Sequence, residues 1–350
     1  MMRKLLSILT ILWTQLAAAQ PVTTQMQAGR TPDGVVYFLP KTVFHINILV
    51  EKTTFTPGEF ALYAEKYLRR SDVQQEAETT HQVIDISITS TGVRDTSKCY
   101  STKLKGGKCE TADIKLSDDG VLLAINDTPP IPHVHKPFKA SPQHVKENAR
   151  RYLNSDILTA GSMAKMAELT AWQMQKLQEY RLDLITADAD EQPQDERQLN
   201  RMLSEIDQEY DALLSLFTGT YRRDTVEKTI TLCPEKEIHH EVLFRLSKQL
   251  GLVDKDDLSG VPYYITITDP NKTDQAKYPI PVNKKNEGFY VNVPGSIMMT
   301  LEREELLLAT FRLSAAQFGF VELRDGTLFR RYVPHMTLHP ATGAVERIYF

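Results

Sequence analysis

The stretch LTAGSMAKMAELTAWQMQKLQEYRLDLIT (158–186), ADADEQPQD (187–195) and ERQLNRMLSEIDQEYDALLSLF (196–217) organises the chain. In its second half Leu199, Leu203, Ile206, Tyr210, Leu213 and Phe217 recur at spacings of four, three, four, three and four. That spacing places all six on one stripe of a helix, with the recurrence of a coiled-coil seam. Arg197, Arg201, Glu205, Asp207, Glu209 and Asp211 fall on the other faces. The first half carries a looser stripe through Met163, Met166, Leu169, Gln173, Leu177, Tyr180 and Leu184. Pro193 and a cluster of acids separate the halves, a composition that ends one helix and favours the N-terminus of the next. Helices of ~25 residues are ~38 Å long. Two stripes that cannot stay wet predict antiparallel pairing, a long helical hairpin.

Upstream, Arg3 and Lys4 precede an apolar run from Leu5 to Leu16, followed by Ala17-Ala18-Ala19-Gln20. A charged start, a short apolar segment and small residues at the end are the marks of a secretory signal peptide. The run is too short to span a membrane, and no later stretch approaches the ~20 apolar residues that a spanning helix needs. The expected mature chain begins at Gln20, and losing Arg3 and Lys4 takes the formal charge from −4 to −6. Mild acidity without a basic cluster argues against nucleic acid as a partner.

Residues 34–126 read mostly as strands. GVVYFLP (34–40) is followed by Val43 to Val50, in which Phe44, Ile46 and Ile48 share one face and His45 and Asn47 the other. Thr56-Pro57-Gly58-Glu59 carries three helix-start signals: a capping threonine, a first-turn proline and a capping-box glutamate. The predicted helix runs to about Arg70 with Phe60, Tyr63, Ala64 and Tyr67 on one side. Ile84, Ile86 and Ile88 alternate with polar residues as in a half-buried strand. Ala112 to Asn126 is a hairpin turning at Asp118-Asp119-Gly120. A proline-rich stretch, 127–142, closes this part, and Ser141-Pro142 opens a short helix through Tyr152. Thr218-Gly219 ends the hairpin. Eight further strand candidates follow from Val226 to Phe350, the last two joined by a turn at 339–343. Short strands with turn signals indicate a sandwich or partly open barrel.

The expected fold class is therefore α+β: two antiparallel β-rich domains joined by the helical hairpin. The expected divisions are a signal peptide at 1–19, an N-terminal β-rich domain with one helix at 20–140, the hairpin at 141–218 and a C-terminal β-rich domain at 219–350. One internal echo is visible. Gly34 and Pro40, followed by Thr42-Val43-Phe44, match the spacing of Gly288 and Pro294, followed by Ser296-Ile297-Met298.

GVVYFLPKT (34–42), TPGEFALYAEKYL (56–68), RLDLIT (181–186) with its acidic loop, LSLFTG (214–219) and PATGA (340–344) together resemble one family. It consists of secreted proteins of about this length from Bacteroidales bacteria, known as a domain of unknown function. The resemblance covers nearly the whole mature chain. It implies a cell-envelope protein of such a bacterium and brings no catalytic residues with it.

The residues leave little local chemistry. His133 and His135 share a strand face, a zinc-compatible spacing, but prolines crowd them. His335 and His339 also share a face, yet Met336 stands where a zinc-protease helix needs glutamate. His239 and His240 point apart. Asp188, Asp190, Glu191, Asp195 and Glu196 lack the spacing and central glycine of a calcium loop. There is no nucleophile elbow and no phosphate-cradling glycine loop. Cys233 reads as a small buried residue. Cys99 and Cys109 flank Gly106-Gly107, and an oxidising compartment favours a bridge between them. Against it, a tight turn at those glycines sets Leu104 rather than Cys99 opposite Cys109. Asn126-Asp-Thr128 and Asn271-Lys-Thr273 match a eukaryotic glycan acceptor, and Asp224-Thr225-Val226 matches the bacterial O-linked kind. No catalytic residue, metal ligand or cofactor is assigned. Three function classes stand: a non-catalytic envelope module binding an envelope protein or glycan, a periplasmic hydrolase with a histidine and acid site built from loops, and an outer-membrane-associated β-protein.

Overall fold

The computed structural model describes residues 29–31, 34–102, 113–132, 135–140, 148–186, 196–271, 288–324 and 334–349. The signal segment, Leu104, Cys109, Ala112, His133, residues 141–147 and the acids between 187 and 195 lie outside the described residues.

Strands β1 (Gly29–Thr31), β2 (Gly34–Thr56) and β3 (Glu78–Thr102) begin the chain, with a 3-10 turn at Ala61–Tyr63 and helix α1 (Ala64–Leu68) between the last two. The short pair β4 (Ile114–Leu116) and β5 (Leu122–Ile125) follows. A second 3-10 turn (Ala149–Tyr152) leads through α2 (Ser155–Leu158) to α3 (Met163–Thr186) and α4 (Glu196–Thr218). Then come β6 (Thr220–Leu232), β7 (Ile238–Ser247), β8 (Gly251–Val253), β9 (Val261–Thr268), β10 (Phe289–Arg303), β11 (Leu306–Arg324), β12 (His335–Leu338) and β13 (Val345–Tyr349).

The strands make three antiparallel sheets, and among the described residues none closes into a barrel. In the first, β2 is central, with β3 on one side and β1 and β6 on the other. The second runs β11-β10-β9-β7-β8, and the third β13-β12-β5-β4. Strand alternation decides which faces meet. Phe44, Ile46, Ile48 and Val50 of β2 pack against Phe244, Ile265, Ile267, Ile297, Met299 and Leu301 of the second sheet. The other end of β2 gives Tyr37 and Leu39 to a different core, shared with Leu122, Ile125, Phe289, Val291, Met336 and Leu338. A third core is helical, built from Phe60, Ala64, Leu153, Ile157, Met174, Leu177, Leu213 and Phe217.

The sheets and β cores draw on both sides of the expected divisions. β6, expected in the C-terminal part, pairs with β2 from Phe44↔Leu232 to Thr56↔Thr220. Both β cores draw on residues from the two sides of the expected boundaries at 140 and 219. Residues 36–40 are all buried, so both faces of that segment are covered.

The echo between Gly34 and Gly288 extends to pairing. In β2–β3 the register jumps from Phe38↔Cys99 to Pro40↔Arg94, leaving Leu39 against residues 95–98. In β10–β11 it jumps from Val293↔Phe320 to Gly295↔Ala315, leaving Pro294 against residues 316–319. A proline at or beside each break fits its inability to donate in a ladder.

Local expectations differ from the structure in three places. No helix starts at Thr56: β2 continues to that residue, and the Phe60 cap of the 3-10 turn has no side-chain bond. The Gly58 backbone lies so close to α4 that an added Cβ would stand 2.3 Å from Leu216 O. Phe60 N donates to the same carbonyl at 2.7 Å. Tertiary contact with α4 thus replaces the capping box. Second, Ile84 is exposed, because the register shift between Leu49↔Asp85 and Val50↔Val83 leaves it unpaired. Third, the buried stripe of α3 is Ala167, Thr170, Met174 and Leu177, rotated from the expected one, with Met163 and Tyr180 exposed.

Helices α3 and α4 are in contact. Gln173 Nε2 donates to Glu209 Oε1 at 2.8 Å, and Arg181 Nε to Asp207 Oδ1 at 2.8 Å. Leu213 and Phe217 are buried, whereas Leu199, Leu203 and Ile206 are half-buried. No helix among the described residues is long and apolar enough to cross a membrane.

Candidate functional site

Odd-numbered residues of β2 from His45 to Thr53 turn away from the core. His45 and Asn47 therefore lie on the outer face of the first sheet, beside Thr89 and Thr91 of β3 and Glu227, Thr229 and Thr231 of β6. A row of cross-strand hydrogen bonds joins them. His45 Nε2 meets Thr91 Oγ1 at 2.8 Å and its Nδ1 meets Thr231 Oγ1 at 3.3 Å. Thr229 Oγ1 donates to Asn47 Oδ1 at 2.8 Å, and Asn47 Nδ2 reaches Thr89 Oγ1 at 3.5 Å.

The proline-rich segment crosses this row. His135 Nε2 bonds Glu227 Oε1, and Phe138 N donates to Glu227 Oε2 at 2.7 Å. Asn47 Nδ2 lies 3.4 Å from His135 Nδ1. Beneath the segment Asn47 is 2% exposed. The amide of Phe138, and then the imidazole of His135, hold the Glu227 carboxyl below the usual glutamate range. His135 Nε2 donates to Glu227, and its Nδ1 faces the Asn47 amide. Both ring nitrogens are engaged. The pair ties the proline-rich segment to the outer face of the sheet.

The other sequence candidates disperse. His335 Nδ1 bonds Asn126 O, and its ring stacks on Tyr349 at 4.8 Å. His339 Nδ1 accepts from Ala341 N at 3.2 Å inside its own turn. His240, at φ 49, stacks on Tyr264 at 3.9 Å and pairs with Glu302 at 3.4 Å. No group of three or more His, Cys, Asp or Glu is arranged for a metal among the described residues. Cys233 is exposed, not buried as expected. Its Sγ faces Thr42 O at 3.7 Å, and desolvation pushes the thiol up, away from the thiolate a nucleophile needs. Cys99 is half-buried on β3 opposite Phe38. Asn126 accepts from Asp113 N at 2.8 Å and donates to Pro334 O at 3.0 Å, so its amide has a structural task. Thr225 lies on β6 opposite Glu51.

A second polar knot sits where β2, β10 and β11 cross. Buried Asn292 donates to Pro40 O at 3.0 Å and Thr342 O at 2.8 Å. Thr42 Oγ1 donates to Ala341 O and accepts from Ala316 N, both at 3.0 Å. Lys98 Nζ lies 3.4 Å from Asn292 Oδ1, and burial lowers its pKa. The motif at 340–344 thereby locks onto the motif at 34–42. In the same way 56–68 locks onto 214–219, where the Phe60 and Phe217 rings are 5.4 Å apart. The most distinctive stretches of the sequence are thus mutual scaffold contacts.

The chain belongs to the DUF4831 family. That family, described as a domain of unknown function, matches residues 33–346. No curated protein and no solved structure matches the chain. For this DUF4831 chain the family brings no site to compare, and the outer-face row stands on its own geometry. Sequence reading separated His45 and Asn47 from the core face but missed Glu227 and Thr229. Their signal was the polar alternation Glu227, Thr229, Thr231 along one strand.

Proposed function

We propose that this chain is an exported cell-envelope protein of a Bacteroidales bacterium and acts as a non-catalytic binding or structural module for an envelope protein or glycan. The observation that supports a structural role is the His135–Glu227 pair, which ties the proline-rich segment to the sheet. The signal-like start, with Arg3 and Lys4, an apolar run and Ala17-Ala18-Ala19, supports export and cleavage before Gln20. On this reading α3 and α4 form a hairpin through residues 187–195 and act as the structural joint. An oxidising compartment adds a bridge from Cys99 to Cys109.

Fractionation of the native cells, with intact mass of the recovered protein, tests the first part. The reading expects envelope material beginning at Gln20, and a chain still beginning at Met1 contradicts it. Elemental analysis of tag-free protein tests the second part. It expects less than one equivalent of zinc, and a full equivalent lost on His135→Ala makes the clamp a metal site.

A further inference from the structure

Tyr100 of β3 and Tyr290 of β10 stack with ring centroids 4.3 Å apart and planes 21° from parallel. That is closer than the ~4.5–7 Å that aromatic pairs usually keep. It sets carbons of one ring against carbons of the other in van der Waals contact. Among the described residues the other tyrosine pairs are wider, Tyr37–Tyr100 at 6.1 Å and Tyr63–Tyr67 at 6.4 Å. Tyr100 and Tyr290 are both half-buried against the third core, so each keeps part of its surface in solvent.

Neighbours hold the pair in place. Tyr37 stands opposite Tyr100 in the β2–β3 ladder and is fully buried. Its hydroxyl accepts from Tyr290 N at 2.7 Å. Two residues away on each strand, Thr102 Oγ1 donates to Gly288 O at 2.7 Å. β3 and β10 belong to different sheets, so the stacked rings bridge a seam between sheets. The Tyr100 phenol is pushed up to about 12, by burial first and then by the Tyr290 phenol, which puts the two hydroxyls within electrostatic reach of each other.

We propose that Tyr100 and Tyr290 are the oxidative cross-linking site of this chain, joined within one molecule as dityrosine by hydrogen peroxide acting through a haem peroxidase. Each phenol gives up one electron and one proton. The two radicals join through an ortho carbon of each ring, and the two ortho hydrogens return to the phenol oxygens. The peroxide takes the two electrons and two protons and leaves as two waters. Contact between the rings makes the coupling unimolecular, which favours it over coupling between chains. Exposed Tyr180 and Tyr221 stack on no tyrosine among the described residues, so they couple only by collision. Tyr37 is kept out by its burial and by the Tyr290 backbone on its hydroxyl. The new bond ties the first sheet to the second between residues far apart in sequence, which constrains the unfolded chain as a disulfide does.

Treatment of the dilute full chain with a haem peroxidase and limiting hydrogen peroxide tests this. The expected product shows dityrosine fluorescence, an intact mass two hydrogens lower, and a cross-linked peptide pair carrying Tyr100 and Tyr290. Tyr100→Phe and Tyr290→Phe each keep a ring in the stack and abolish the cross-link, whereas Tyr180→Phe leaves its yield unchanged. Circular dichroism and Tm before treatment report unchanged folding in each variant. The cross-linked wild type melts higher than the untreated chain, and treated Tyr100→Phe does not. A cross-link that survives in Tyr100→Phe, or one found only between chains, overturns the proposal. So does oxidation of the wild type that yields no cross-link.

Discussion

Asn292 uses one amide to hold two carbonyls, Pro40 O and Thr342 O, with 1% of its surface exposed. Replacing it by alanine leaves two buried acceptors without a donor, which costs roughly 2–5 kcal/mol; denaturant unfolding measures it. Beside it, Gly343 has φ +69, and an added Cβ would lie 2.6 Å from Pro40 Cδ. Gly343→Ala combines left-handed strain with that clash and costs roughly 1–3 kcal/mol by the same assay. Glu227 predicts a pH effect. Its folded pKa is depressed, so its stabilisation is present above the ordinary glutamate range and disappears as pH falls through the folded value. Glu227→Gln should lower Tm at neutral pH and flatten the acid side of the Tm profile; an unchanged profile shows that the clamp contributes nothing. Little of this was legible in advance. Glu227 and His135 are 92 positions apart, and a hydrogen bond over that span leaves no local pattern.

At the scale of elements, the periodicity of α4 carried the most information. Its stripe is real but graded: Leu213 is fully buried and Ile206 half-buried. Leu213→Ala should therefore cost about 2–5 kcal/mol, and a change at Leu203 far less. Helical circular dichroism during denaturant unfolding checks the order, and equal losses contradict the gradient. α3 was less legible because Ala167 and Thr170, small residues at the close approach, carry the contact in place of the larger Met163 and Tyr180. Trp172 is 56% exposed, with Lys176 Nζ 3.8 Å from its ring centroid. Its emission should therefore already be red-shifted and move little when the helical core is damaged. The Thr56 capping box failed for a physical reason. Its residues answer to Leu216 and Phe217, and local propensity is weak against a buried tertiary contact.

Across the whole molecule, strand-rich composition and turn spacing made the β class legible, and antiparallel sheets are what the chain forms. The sharing of the β cores between distant parts of the chain was not legible. Nothing local in β2 tells that its outer edge is filled by β6 after nearly the entire helical segment has intervened. The central claim is that strands from both parts of the chain unfold as one body. Native-state hydrogen exchange across a denaturant series tests it most directly. The slowest amides of β2 at 44–50, of β9 and of β10 at 297–301 should merge into one opening free energy with the same denaturant dependence. If the amides of β2 and β3 instead open at a lower free energy, while those of β7, β9 and β10 stay protected, the β cores are separate and the account is contradicted.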